Sequence, residues 1–273
     1  MIAVLNTRPL TETSSASLDS PDRTAGDSTE LNTALRAAGF EPIEVPLVEL
    51  VLLTDALDLI EKLSSHHYDG ILLSSPNLIP LMRHSGRAFP AAWLEKPWYL
   101  ISSRAKADVE SLGPPPVTIA FVPHEPSLDG FLREVPLQSK LRLIHPCSTK
   151  TRLEPALFQS KGIDVHNMAV YEPRCPENAP TLLEQAWPRL IPQSAPQGAV
   201  LLASGSAVHH LFAAAPLLAR TLSQPDGPVP VSIGSSTSRA LRMYGVESFV
   251  QAPTADTAGF LAALHTVFPG KQP

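Results

Sequence analysis

The stretch GAVLLASGSAVHHLF at 198–212 sets an apolar run against a small polar turn and then a second apolar stretch. DGILLSSPNLIPLM at 69–82 has nearly the same outline, with Ser75 and Ser204 at the matching place. In both, a buried strand ends, a small hydroxyl follows, and a segment of helical period starts within two residues. The echo continues. WYLISSRAKADVESLG (98–113) has the outline of PVSIGSSTSRALRMYG (230–245), and VPHEPSLDGFLREV (122–135) that of QAPTADTAGFLAAL (251–264), with Gly130 and Gly259 in register. Upstream, LNTALRAAGFEPIEVPLVEL (31–50) matches LEPALFQSKGIDVHNMAVYE (153–172), aligning Gly39 with Gly162. AVLNTRP (3–9) and LRLIHPC (141–147) are the corresponding first strands. A period this long makes the repeating unit a domain, not a solenoid element.

The first half carries extra residues between its first strand and its first helix, and TSSASLDSPDRTAGDS (13–28) supplies them. That segment is polar and free of aromatics, so a flexible loop insertion is expected over 11–28. Short apolar or β-branched runs mark strands at 3–6, 43–47, 70–74, 98–102 and 118–122. Helical period appears at 31–38, 54–64, 104–112, 128–134, 152–160 and 235–244. Such alternation implies an α/β protein with parallel sheets flanked by helices, which bind ligands outside the carboxyl ends of their strands.

The 273 residues are 44% hydrophobic, enough for two cores of ordinary size. A net charge of −5 argues against nucleic acid and anionic membrane as partners. The two cysteines, Cys147 and Cys175, imply no disulfide framework and fit a reducing cytoplasm. The opening MIAVLNTRPL lacks the pattern of a signal peptide, and no run approaches the length of a membrane span.

The turns LLSSPN (72–77), LLASGS (201–206) and IGSSTSR (233–239) place hydroxyls where orphan helix donors need partners. Remaining free N–H groups and the helix dipole make such turns anion sites without a charged residue. In the third, Gly234 lets a ligand approach the backbone while Ser235, Ser236 and Thr237 offer hydroxyls. Capping alone accounts for any one of these residues. Several converging together point to a ligand rich in carboxylates or phosphates.

VLNTRP, the SSP and ASGS turns, RLEPALFQSKG, VYEP at 170–173, and IGSSTSRALRMYG followed by PTADTAGFLAAL resemble the uroporphyrinogen-III synthase family. The likeness runs from residue 3 to about 264 and is strongest in the second half. It implies two flavodoxin-like domains joined by a two-stranded connector: residues 1–44 with 173–273, and residues 45–172. The crossings would be VPLVE (45–49) and MAVYEP (168–173). The implied reaction closes hydroxymethylbilane, a linear tetrapyrrole with eight carboxylates, into uroporphyrinogen III. Water is lost and ring D inverted through a spiro intermediate. No cofactor and no metal take part. The implied protein is a cytoplasmic monomer whose partners are that substrate and product, with transient contact to neighbouring pathway enzymes.

Under this resemblance Tyr171 matches the VY motif and would help the hydroxyl leave, as a hydrogen-bond donor. Ser236 and Thr237 match the paired hydroxyls of a G-x-x-T turn. Ser75 and Ser204 match the two strand-end serines, and Arg8 and Arg152 are basic residues near strand ends that pair with carboxylates. For Arg152 the alternative is an exposed helix residue. Ser102-Ser103-Arg104-Ala105 departs from the family's first-half G-x-x-T, and Ser103 or Arg104 would compensate by pairing with a carboxylate. His66–His67 and His209–His210 are adjacent pairs whose rings diverge on a helix, so metal binding is not expected there. Cys147 is expected to be inert. Two readings from other classes stand beside this one. The first is a non-catalytic member binding a tetrapyrrole or a partner enzyme. The second is a generic flavodoxin-like module, against which the serine-rich strand ends and the absence of a G-x-G-x-x-G turn both count.

Overall fold

The runs IAVLN at 2–6, GILL at 70–73 and AVLL at 199–202 are buried along their whole length, as strands covered on both faces must be. The computed structural model describes residues 1–9, 28–53, 55, 68–86, 88–113, 117–137, 140–192 and 197–270. The chain divides into two compact units, Met1–Glu49 with Arg174–Pro273, and Leu50–Pro173. The described strands are β1 (Ile2–Asn6), β2 (Phe40–Glu44), β3 (Glu49–Leu52), β4 (Gly70–Leu73), β5 (Trp98–Leu100), β6 (Ile119–Phe121), β7 (Leu141–Ser148), β8 (Ile163–Arg174), β9 (Ala199–Leu202), β10 (Val229–Ser232) and β11 (Val250–Gln251).

One sheet has the order β2-β1-β9-β10-β11, the other β3-β8-β7-β4-β5-β6. The pairs β1–β2, β1–β9, β9–β10 and β10–β11 are parallel, as are β7–β8, β4–β7, β4–β5 and β5–β6. The first order places the second strand beside the first and then the third to fifth, the flavodoxin-like arrangement. The second sheet repeats it with β7 as the first strand and β3 added beyond β8.

The sequence repeat is also the strand register. Leu5 lies opposite Ile43 and Val200, and its counterpart Ile144 lies opposite their counterparts His166 and Ile71. Val200 faces Pro230 as Ile71 faces Trp98, and Val231 faces Val250 as Tyr99 faces Phe121. The first sheet therefore takes two strands from the first half of the chain and three from the second, and the other sheet takes four from the first half, β3 included, and two from the second.

Helix Ser28–Ala37 and helix Thr257–Val267 pack on the first sheet, where Leu31, Leu35, Phe260 and Leu264 close over Val4 and Val231. In the second sheet Trp98 is fully buried, edge-on to Trp93, whose carbonyl accepts the Trp98 indole N–H at 3.0 Å. An aromatic pair of this kind adds about 1 kcal/mol beyond its buried area.

Gly130 and Gly259 have one cause. The Gly130 N–H donates to Ser127 Oγ at 2.9 Å, and the Gly259 N–H to Asp256 Oδ1 at 2.7 Å, capping the two equivalent helices. The same close turn would bring a Cβ at Gly130 to 2.3 Å from the Glu125 carbonyl oxygen, and one at Gly259 to 2.0 Å from that of Thr254.

Several boundaries differ from the sequence reading. The strand expected at 43–47 is Phe40–Glu44. Pro42 is tolerated there because β2 is an edge strand, while Pro46, with no N–H to give, lies beyond its end. The helix expected at 152–160 is only Ala156–Gln159, because the Asn167 side chain takes both the N–H and the C=O of Leu153. Arg152 accordingly stands exposed ahead of the helix rather than on it. The segment expected as helix at 104–112 is a 3-10 turn, Ser103–Ala105, and a short helix, Lys106–Glu110. Where a crossing strand was expected at 45–49, the strand is β3, Glu49–Leu52, and β8 is twelve residues long. The expected 11–28 loop (all but Ser28), the expected 54–64 helix (all but Asp55) and His66–His67 lie outside the described residues.

Candidate functional site

The carboxyl ends of the strands carry most of the residues singled out above. In the first unit, Asn6 ends β1 and Thr7 and Arg8 follow it, and all three are buried. The Thr7 hydroxyl donates to the Leu201 carbonyl at 2.6 Å, tying the end of β1 to β9. Asn6 donates to Asn32 Oδ1 at 2.9 Å and accepts the Arg8 N–H at 3.0 Å. The Arg8 guanidinium donates to Thr257 Oγ1 at 3.2 Å and lies 5.5 Å from the centre of the Phe260 ring. Arg8 thus braces the start of helix Thr257–Val267.

Ser204 precedes helix Gly205–Ala214 in an extended conformation, and its Oγ accepts the Ala207 N–H at 3.1 Å. That is a cap in the ordinary sense. Replacing Ser204 by alanine is expected to lower stability by about 1 kcal/mol, read as a smaller urea midpoint at unchanged slope. The two histidines of this helix are bonded separately, His209 to the Tyr244 hydroxyl at 3.0 Å and His210 to the Leu47 carbonyl at 2.5 Å.

Helix Ser235–Met243 differs from helix Gly205–Ala214. Its N-cap is Gly234, and no side chain caps it. Gly234 is extended (φ 175°), and a Cβ there would meet nothing within 4 Å, so the space beside it is open. Ser235 and Ser236 are exposed. Thr237 is fully buried, and its hydroxyl has no hydrogen-bond partner among the described residues. A buried hydroxyl left unmatched costs about 1–3 kcal/mol. Here it sits in the first turn of a helix whose dipole and free amides favour an anion.

In the second unit, Tyr171 on β8 is 4% exposed. Burial raises its phenol pKa, a hydrogen bond with the Ser75 side chain pulls it back, and neighbouring Cys147 pushes it up again. Burial thus favours the neutral phenol of Tyr171, which is hydrogen-bonded with Ser75 just past the end of β4. Ser75 Oγ also accepts the Asn77 N–H at 3.3 Å. Burial raises the Cys147 thiol, offset by the positive charge of Arg152 and by the Met168 amide. Tyr171 and Ser75 are thus brought together, with Cys147 near Tyr171. Ser103 is exposed in its 3-10 turn, apart from these contacts, and the Arg104 side chain lies outside the described residues.

Three residues escaped the sequence reading: Ser74, His145 and Asn167, joined by hydrogen bonds of 2.6 and 2.8 Å. The available signal was a histidine inside the apolar run LIHPC at 143–147, whose burial requires that the ring be satisfied.

The family model described as uroporphyrinogen-III synthase HemD matches residues 29–262. Among proteins of curated function, none matches the chain in sequence. The fold is similar to that of a crystal structure of uroporphyrinogen-III synthetase from Helicobacter pylori, at 13% identity and TM-score 0.57 over 84% of this chain and 93% of that one. A mutant uroporphyrinogen III synthase from Thermus thermophilus is similar at 15% identity and TM-score 0.50 over 99% and 100%. With a family model spanning most of its length, the chain belongs to the uroporphyrinogen-III synthase HemD family.

Proposed function

We propose that the protein is a uroporphyrinogen-III synthase. It closes hydroxymethylbilane with inversion of ring D, as a lyase that draws on no cofactor. The family match supports the reaction class. The observation that carries the reading is Thr237: a buried, unmatched hydroxyl at an uncapped helix start is what a carboxylate-bearing ligand would complete.

The chemistry asks for little more than positioning and donors. Expelling hydroxide from a carbon attached to a pyrrole needs a proton or hydrogen bond on the departing oxygen, which Tyr171 supplies in its neutral form. The harder isomer then requires that the chain be held curled while one of two ring positions attacks. In the first unit, Ser235, Ser236 and Thr237, with the amides of their turn, offer an anion site that suits an acetate or propionate arm. In the second unit, taken by itself, Ser75 offers a hydroxyl and Arg152 a cation suited to a carboxylate. Gly234 leaves the approach open, Ser204 contributes through its cap, and Arg8 through the helix that it braces.

A coupled assay with hydroxymethylbilane, followed by isomer analysis of the oxidised product, tests the reading. Isomer III above the uncatalysed background is expected. Isomer I alone, at the uncatalysed rate, would leave a non-catalytic tetrapyrrole binder. Thr237→Val gives a sharper result. It removes a hydroxyl with no partner to lose, so stability should hold or rise by up to about 1 kcal/mol. KM for hydroxymethylbilane should rise about tenfold, the worth of one hydrogen bond to a charged group. A destabilised variant with unchanged KM would assign Thr237 to the core instead.

A further inference from the structure

Ser74, His145 and Asn167 stand on the neighbouring strands β4, β7 and β8 or at their ends. Their hydrogen bonds fix the proton positions. Asn167 Nδ2 donates to the Leu153 carbonyl at 2.7 Å, and Oδ1 accepts the Leu153 N–H at 3.0 Å, which settles which end of the amide is which. Oδ1 therefore takes the Nδ1–H of His145 at 2.8 Å. Burial holds the His145 pKa below its ordinary value, partly offset by that bond, so the neutral ring leaves Nε2 bare. Nε2 must then accept the Ser74 hydroxyl, at 2.6 Å. His145 is fully buried, whereas Ser74 keeps part of its surface open.

The fold does not impose this chain of bonds. The repeat aligns Ser74, His145 and Asn167 with Ala203, Asn6 and Glu44, which share neither the hydroxyl nor the imidazole. Among the described residues no base reaches Ser75, whose hydroxyl is bonded to Tyr171 and the Asn77 amide. A hydroxyl on the bare nitrogen of an imidazole that a third group orients is the arrangement of an activated nucleophile, recognised by geometry rather than by position in the chain.

We propose that Ser74 is a reactive serine that attacks acyl or phosphonyl centres, with His145 taking its proton and Asn167 orienting His145. In the step, Ser74 Oγ bonds to the electrophilic carbon or phosphorus and its proton passes to His145 Nε2. The bond to the leaving group breaks, and the leaving group departs with that proton. Asn167 is a positioning residue. Being neutral, it stabilises the imidazolium less than a carboxylate would. This activity lies beyond the synthase reading and its test does not depend on it.

The full chain is treated with an alkyl fluorophosphonate, and the adduct is located by peptide mass spectrometry. Here the O–P bond forms, the P–F bond breaks, and fluoride leaves. Expected is one adduct, on Ser74 and not on adjacent Ser75, forming more than about tenfold faster than on the urea-unfolded chain. Ser74→Ala should abolish it, and His145→Gln should slow it roughly a hundredfold, the contribution of one general base. Asn167→Asp keeps the acceptor for His145 and should raise the rate. A fall at unchanged urea midpoint would remove its orienting role. No adduct on Ser74 of the wild-type chain, or equal labelling of Ser75, overturns the proposal whether or not the variants fold.

Discussion

Replacing Tyr171 by phenylalanine is expected to slow isomer III formation by roughly ten- to a hundredfold, consistent with loss of one positioned proton donor. Stability should change little. The variant keeps the ring that packs in the core of the second unit and loses only the bond with Ser75, worth about 1 kcal/mol. The two effects separate a chemical role from a packing role. An initial rate unchanged within error, in the coupled assay at saturating hydroxymethylbilane, would take Tyr171 out of the reaction. Burial acts here in a definite direction. It raises the phenol pKa, so the group donates and does not serve as a phenolate base. A rate that rose with pH through the range of free tyrosine would contradict that assignment.

A large stability change is expected at Gly259. Glycine to alanine inside a helix ordinarily gains up to about 1 kcal/mol. Here a Cβ would stand 2.0 Å from the Thr254 carbonyl oxygen and 2.7 Å from its Oγ1, and the backbone oxygen cannot swing aside as a side chain does. Overpacking of this kind costs about 3 kcal/mol and outweighs the helix gain. Gly259→Ala should therefore lower the urea midpoint sharply, by a net of roughly 2 kcal/mol or more. Gly205 supplies the contrast, because its Cβ would meet the Ala240 Cβ at an ordinary 3.7 Å. Gly205→Ala should be neutral or mildly stabilising. Equal behaviour of the two variants would refute the steric account.

The strands were legible where a fully apolar run ended at a small-residue turn, as in β4 and β9, whereas the flavodoxin-like arrangement was implied only by the family resemblance. The repeat carried the register as well, because aligned residues such as Ile71 and Val200 proved to occupy aligned places in two sheets. The choice of mates was not legible locally. β4 and β9 offer β1 nearly the same edge, so composition cannot say which of them pairs with it. Side-chain partners far apart in sequence were equally hidden. Arg8 looks like a free cation at a strand end, and only the folded chain brings Thr257 and Phe260 to it. Arg152 looked helical because its neighbours have helical period, yet Asn167 captures the backbone of Leu153 first. Ser204, whose partner is three residues away, needed no tertiary information.

The mating of β1 with β9 bears on how the chain is born. A ribosome adds about 5–20 residues per second, so β1 and β2 wait on the order of 10 s for β9 to emerge. Meanwhile β4, which carries the same edge, is already present. The nascent chain thus meets a decoy of its own making: a sheet β2-β1-β4-β5-β6, drawn wholly from the first half, with the spatial order of the native one. Efficient biogenesis requires that this early sheet be either too weak to persist or readily surrendered, and a helper protein that holds β1 and β2 apart would act at this step.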